Sequence, residues 1–152
     1  MVSLVKTSQS LRPANHHDYD FLHHVHKATL KKYITQIWGW DENWQRDHFR
    51  DHFDPAKRQI IVLNGNDIGA IGIEKREGDI FLAYIAILPD YQGQGIGTTL
   101  IRQLLSEAFE AGSAVVIHVL KGNPAKHLYE RLGFTVVKET DIRYVLKAMS
   151  EN

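Results

Sequence analysis

The stretch LAYIAILPDYQGQGIGTTLIRQLL, Leu82 to Leu105, decides how this chain folds. An apolar run from Phe81 to Leu88 has the character of a buried strand, and Pro89-Asp90 breaks it. Gly93, Gly95 and Gly97 then alternate with other residues before an amphipathic helix begins. Such an order predicts a strand, a tight glycine loop and a helix N-terminus. The N–H groups of a first helical turn have no partner within the helix and lie at the positive end of its dipole, so they attract anions. Glycines let the anion reach the main chain unhindered.

The residues around the glycines narrow the choice of anion. A nucleotide-hydrolysing loop requires lysine after its last glycine, but Thr98-Thr99 follows Gly97. A dinucleotide fingerprint requires Gly-x-Gly-x-x-Gly, and its last position falls on Thr98 or Leu100. The pattern that fits is Gln-x-x-Gly-x-Gly, with Gln92, Gly95 and Gly97 at the fixed positions after Ile87-Leu88-Pro89. This resembles the acetyl-CoA pyrophosphate loop of the GNAT superfamily of N-acetyltransferases. On the loop alone, an ordinary glycine-rich strand-to-helix turn remains the alternative.

The chain has 152 residues, enough for one domain with one core. Eighteen basic residues balance eighteen acidic ones, which gives no general attraction to nucleic acid or to an anionic membrane. The absence of cysteine excludes a disulfide framework, a thiolate nucleophile and a thiolate metal site. The N-terminus, MVSLVKTSQS, lacks a signal-peptide core, and no apolar run approaches the ~18 residues of a membrane span. The expectation is a soluble cytoplasmic protein, with a homodimer possible.

In chain order, Val2 to Thr7 alternates weakly, as in a short first strand, and a loop runs through Pro13-Ala14-Asn15. A helical pattern opens near Asp18, a candidate cap, and weakens toward Tyr33-Ile34; Trp38-Gly39-Trp40 breaks it. Asp41 opens a second helix through about Phe53. Strands are expected at Gln59 to Leu63 and Ile68 to Lys75 around the turn Asn64 to Asp67, and at Ile80 to Leu88. After the helix that follows the glycine loop, capped by Gly112, comes a strand at Ala114 to Leu120.

The second motif is GNPAKHLYERLGF, Gly122 to Phe134. Asn123 as cap and Pro124 at the first helical position start a short helix that Gly133 ends. Strands at Phe134 to Lys138 and Arg143 to Met149 close the chain. The resulting order, β-α-α-β-β-β-α-β-α-β-β, is similar to that of the GNAT fold over nearly the whole chain. The fold class implied is α/β (α+β): a single N-acetyltransferase domain over residues 1–152, with a mixed, mainly antiparallel sheet of about seven strands and helices on both faces.

That resemblance implies an acetyl-CoA-dependent transfer of acetyl to a primary amine of a small molecule or peptide, by direct attack in a ternary complex. Ile85, Ala86, Ile87 and Leu88 would line the pantetheine arm. Gln92, Gly93, Gln94, Gly95, Ile96, Gly97 and Thr98 would hold the pyrophosphate, Asn123 would lie near the pantetheine or the acceptor side, and Ala125 would also contact the cofactor. Tyr129 matches the family's tyrosine beside the departing sulfur. The Asn-Pro-Ala form sets Asn123 one residue closer to that tyrosine than the commoner Asn-x-x-Ala form. His118 aligns on its strand with a catalytic glutamate of some ribosomal-protein acetyltransferases; aligned on Tyr129 the position is Ile117, and Glu74 and Tyr84 compete as bases.

An acceptor pocket is expected at the junction of the first two helices, from Trp38, Trp40, Asp41, Glu42, Gln45 and Tyr84, where aromatic walls beside carboxylates suit a cationic amine. The same residues could instead only pack and cap the junction. Two further readings stay open: an acetyl-CoA-binding module without catalysis, and a metal-binding protein using nine histidines, notably His23 with His26 or His48 with His52. Neither histidine pair sits in a His-Glu-x-x-His context, so no metal is expected.

Overall fold

The computed structural model describes residues 9–150. Its elements are β1 (Gln9–Pro13), α1 (Tyr19–Trp38), α2 (Glu42–His52), β2 (Gln59–Leu63), β3 (Asn66–Arg76), β4 (Asp79–Ile87), α3 (Ile96–Glu110), β5 (Ala114–Leu120), α4 (Ala125–Arg131), β6 (Thr135–Glu139) and β7 (Arg143–Ala148). The strands form one sheet in the order β1-β2-β3-β4-β5-β7-β6. All pairs are antiparallel except β4 with β5. The α/β (α+β) expectation and its element order hold.

Apolar alternation assigns the two faces. Ile61 and Ile71 point into the layer under α3 and α4, with Ile101, Leu104, Val115, Ile117 and Phe134. Their neighbours Ile60 and Ala70 point the other way, to Leu22 of α1 and Phe49 of α2. Strand β2 is thus buried on both sides, and each of Ile60 and Ile61, at 0% exposure, contributes about 2 kcal/mol of apolar burial. The hairpin between β2 and β3 turns on Asn64 (φ 50°) and Gly65 (φ 84°), the left-handed pair that a two-residue turn matched to strand twist requires.

Two starts differ from expectation. The strand assigned to Val2 to Thr7 lies outside the described residues, and β1 occupies Gln9–Pro13, partly where a loop was expected. Asp18 does not cap α1. Its carboxylate instead takes both guanidinium nitrogens of Arg12, at 3.0 and 2.8 Å, and the Asn15 N–H at 2.9 Å. The 8%-exposed carboxylate of Asp18 thus fastens the edge strand to the start of α1, and Arg12 also reaches Asp67 of β3 at 2.9 Å. The guanidinium holds Asp18 below the usual carboxylate range.

Strands β4 and β5 determine where a ligand can enter. They pair only from Asp79↔Ala114 to Leu82↔Ile117, four positions, and then part. The next residue, Ala83, is a bulge: Leu82 faces Ile73 and Tyr84 faces Gly72, leaving Ala83 without a partner on β3. A bulge bends and twists its strand, and here it coincides with the point of separation. Beyond it, the β5-facing edge of β4 is unpaired through Ile87.

Candidate active site

A cleft of about 580 Å³ occupies the gap between the separated strands. Ile85, Ala86 and Ile87 of β4 form one lip; the glycine loop and the start of α3 close one end; Asn123, Ala125 and Tyr129 face them. Loop residues Gln92, Gly93, Gly95, Ile96, Gly97 and Thr98 all line it. Of the residues expected to hold the cofactor, Leu88 and Gln94 are not in the lining. The Leu88 N–H is engaged by the Ile68 carbonyl at 2.9 Å, and the Gln94 amide donates to the Asp90 carbonyl at 3.2 Å.

The loop is braced without being filled. The Gln92 side-chain amide donates to the Ile87 carbonyl at 2.8 Å, which ties the loop to the end of β4. Gly95 caps α3 in the left-handed region at φ 81°, with no side-chain cap and no acidic residue in the first turn. Helix α2 shows the contrast, because the Asp41 carboxylate accepts its Trp44 N–H at 2.9 Å. An acidic cap on α3 would occupy the anion's position; Gly95 leaves the N-terminal amides and the positive dipole end directed at the cleft.

Tyr129 projects from α4 with 7% exposure, and burial pushes its phenol up to about 12. Its hydroxyl bonds to none of the described residues. Gly133, at φ 101°, ends α4 by a Schellman turn in which the Gly133 N–H meets the Glu130 carbonyl and the Phe134 N–H the Tyr129 carbonyl, each at 3.1 Å. Asn123 starts the helix as expected, its Oδ1 accepting the Ala125 N–H at 3.0 Å, so its side chain braces the cleft wall.

His118 lies one residue beyond the last β4–β5 pair. The strand's alternation turns Ile117 and Val119 toward Tyr129 in the core, and His118 to the opposite face against Phe81, ring centroids 4.8 Å apart. It is not in the cleft lining. Its imidazolium is disfavoured by burial and then by Arg143, Arg76 and Lys138, so its pKa falls below the usual 6.5. Glu74 accepts from Arg76 at 3.1 Å and is likewise outside the lining.

The helix junction holds two adjoining pockets. The larger, about 770 Å³, brings together Trp38, Trp40, Asp41 and Gln45 with Trp44 and His48. Glu42 borders it but is engaged, accepting Lys27 Nζ at 2.5 Å and Trp40 Nε1 at 2.6 Å. Those bonds hold its carboxyl below the usual range. Tyr84 instead lines the smaller pocket, about 280 Å³, under α2. His26, Gln45 and His48 are common to both pockets. His48 and His52 stack at 4.1 Å, and His52 Nδ1 donates to the His48 carbonyl at 2.9 Å. Among the described residues no group of three His, Asp or Glu side chains converges as a metal site would require.

Sequence reasoning missed one wall of the cleft. Thr29, Leu30 and Tyr33 of α1 line it, on the helix segment where the apolar periodicity fades. The fading is the signal, because this part of α1 leaves the core and borders the gap. In the sequence His26 stands out only as one of a histidine pair. Burial, helped by the charges of His23, Arg58 and His48, lowers it to about 4.

Residues 20–134 match the model of the acetyltransferase (GNAT) family. Over 84 residues the chain is 43% identical to the [ribosomal protein bS18]-alanine N-acetyltransferase of Haemophilus influenzae, a match spanning 55% of this chain and 56% of that protein. Over 117 residues it is 30% identical to the mycothiol acetyltransferase of Corynebacterium aurimucosum, spanning 66% of this chain and 38% of the relative. The chain thus spans about half or less of the length of these curated relatives. The crystal structure of the PaiA N-acetyltransferase from Thermoplasma acidophilum in complex with coenzyme A has the same fold, with a TM-score of 0.74 at 17% identity over 93% of this chain and 98% of that one.

Proposed function

Because this chain belongs to the GNAT family of acetyltransferases, we propose that it transfers acetyl from acetyl-CoA to a primary amine of a small molecule or peptide, by direct attack in a ternary complex. The observation that carries this is the uncapped start of α3 opening into the gap between β4 and β5, with the free Tyr129 hydroxyl in the same cleft. The amides of Gln92 to Thr98 would hold the pyrophosphate. The unpaired edge of β4 at Ile85 to Ile87 would bond the pantetheine, and an N–H there would polarise the thioester carbonyl.

In the transfer, the neutral amine attacks the thioester carbon, a C–N bond forms, the C–S bond breaks, and the ammonium proton leaves to a base. The sulfur departs as thiolate. Tyr129 serves it as a hydrogen-bond donor, because moving its proton from a phenol near 12 to a thiolate of pKa ~8.5 would cost about 5 kcal/mol. Among the described residues the cleft lining holds no imidazole or carboxylate, so the amine proton leaves through water to a base outside it, for which we propose His118, whose pKa lies below the usual value. The test is acetyl-CoA titration followed by release of free thiol with a panel of polyamines, amino acids, aminoglycosides and peptides. Tight cofactor binding with no thiol release from any amine would favour a binding module instead.

A further inference from the structure

The floor of the smaller pocket carries a guanidinium that no carboxylate of the described residues contacts. Arg58, the residue before β2, lays its guanidinium over the Tyr84 ring, Cζ 4.5 Å from the centroid. Its side-chain hydrogen bond goes to the adjacent Lys57 carbonyl at 3.1 Å, and it forms no ion pair among the described residues. Lys57 also lines the pocket without an ion pair there. The nearby carboxylates are engaged: Asp54 accepts the Ala56 N–H at 3.1 Å, and Glu74 accepts Arg76 at 3.1 Å.

The fold makes room for this arginine. A Cβ on Gly72 would lie 2.6 Å from Arg58 Nη1, so glycine at that position is what admits the guanidinium. Burial lowers the Arg58 pKa, and the fields of Tyr84, Glu74 and Asp54, none of which pairs with it, do not offset that loss of water. A guanidinium offers five donors in a rigid fork matched to carboxylate. Leu22, Phe49 and Phe53 give the pocket an apolar wall beside the polar Gln45, His48 and His52, while His26 is neutral at pH 7. Lys57 and Arg58 against Asp54 leave one positive charge, which suits a monoanion.

The pocket also leads toward the cleft. Leu30 lines both, and its neighbour Thr29 on α1 lines the cleft beside Ile85. We propose that Arg58 receives a carboxylate of the acceptor, so that the substrate is an amine that also bears a carboxylate. Its apolar part packs on Phe49 and Phe53, and its amine is directed past Tyr84 toward Ile85. This rests on the acetyl-transfer reading above, but its binding test does not require turnover.

The test is calorimetric titration of the full chain, saturated with coenzyme A, using leucine, phenylalanine, ω-amino acids and the dipeptide Phe-Leu, each against its carboxamide. At least one pair should favour the carboxylate about tenfold or more, the worth of a charge-assisted bond at a desolvated site. Arg58→Gln should abolish that preference with coenzyme A affinity unchanged, and Arg58→Lys should retain part of it. If Arg58→Gln melts early, Gly72→Ala, which displaces the guanidinium, replaces it. Response of the free amino acids or of the dipeptide identifies the carboxylate's source. Equal binding of acid and amide, a preference that survives Arg58→Gln, or no binding by any pair would overturn the proposal. Acetylation of amines that bear no carboxylate, in the same protein, would leave the transfer reading standing alone.

Discussion

The Tyr129 carbonyl accepts the Phe134 N–H at 3.1 Å, and the two rings meet edge to face with centroids 6.0 Å apart. One turn of backbone thus fixes both the end of α4 and the direction of the phenol. Phe134 is 2% exposed in the core, so the turn that aims Tyr129 is anchored by the domain's own packing.

Tyr129→Phe keeps this packing and removes only the hydroxyl. The melting temperature should stay put while turnover falls about 100-fold, the usual scale for losing one hydrogen-bond donor to charge that develops in the transition state. Phe134→Ala, by contrast, should cost about 3 kcal/mol of stability. Wild-type turnover in Tyr129→Phe, measured by thiol release, would make the tyrosine a packing residue.

Gly95 and Gly112 both adopt left-handed backbone, at φ 81° and 77°, with open space where a Cβ would stand. Alanine should therefore strain each by about 1 kcal/mol. Only Gly95 faces the cleft. Gly95→Ala should weaken acetyl-CoA binding at least tenfold, about 1.4 kcal/mol, and Gly112→Ala should leave it unchanged. Equal affinities in calorimetry would remove the pyrophosphate from this loop.

Trp38 is 57% exposed beside the larger helix-junction pocket, so trimming it sacrifices little burial. Trp38→Ala should change stability by no more than about 0.5 kcal/mol while raising the acceptor KM several-fold. Glu42→Gln should act differently, since it severs the Lys27 pair and weakens the Trp40 bond that orients the indole. Loss of stability in Trp38→Ala with acceptor kinetics intact would assign the aromatic cluster to packing.

His26 gives the fold a pH dependence of definite sign. Its pKa is lowered from 6.5 to about 4, so the unfolded chain takes up the proton first. The stabilisation is fully present above pH 6.5 and is lost as pH falls toward 4, by up to about 3 kcal/mol. Asp18, held down by Arg12, adds a further loss below the ordinary carboxylate pKa. Urea midpoints across this range should fall for the wild type and flatten for His26→Phe; identical slopes would mean that His26 titrates normally.

Strands β2 to β7, the glycine loop and the second motif were legible because short-range chemistry dictates them: period-two burial in β5, left-handed glycines at 95 and 133, proline at 89. Side chains whose roles depend on long-range meeting were not. Asp18 looked like a cap, but Arg12 and the strand behind it outcompete the helix amides for its oxygens. Arg58 gave no local sign, since its surroundings come from Gly72 on one strand and Tyr84 on another. The α1 wall was hidden for the same reason, as a fading helical period does not say what the helix then faces.

Among the described residues, the sheet's ladder joins the half-sheet of β1 to β4 to the half-sheet of β5, β7 and β6 at four positions only. Mechanically the sheet is a fork, and a molecule bonded to both tines is a splint. Its binding free energy depends on their relative angle, so the cofactor's grip and the alignment of the two half-sheets are one linked equilibrium. At a concentration 100 times its Kd, such a splint would add about 2.7 kcal/mol to the stability of the whole domain. Amide exchange along the unpaired edges beyond Leu82 and Ile117 is where that linkage would first be read.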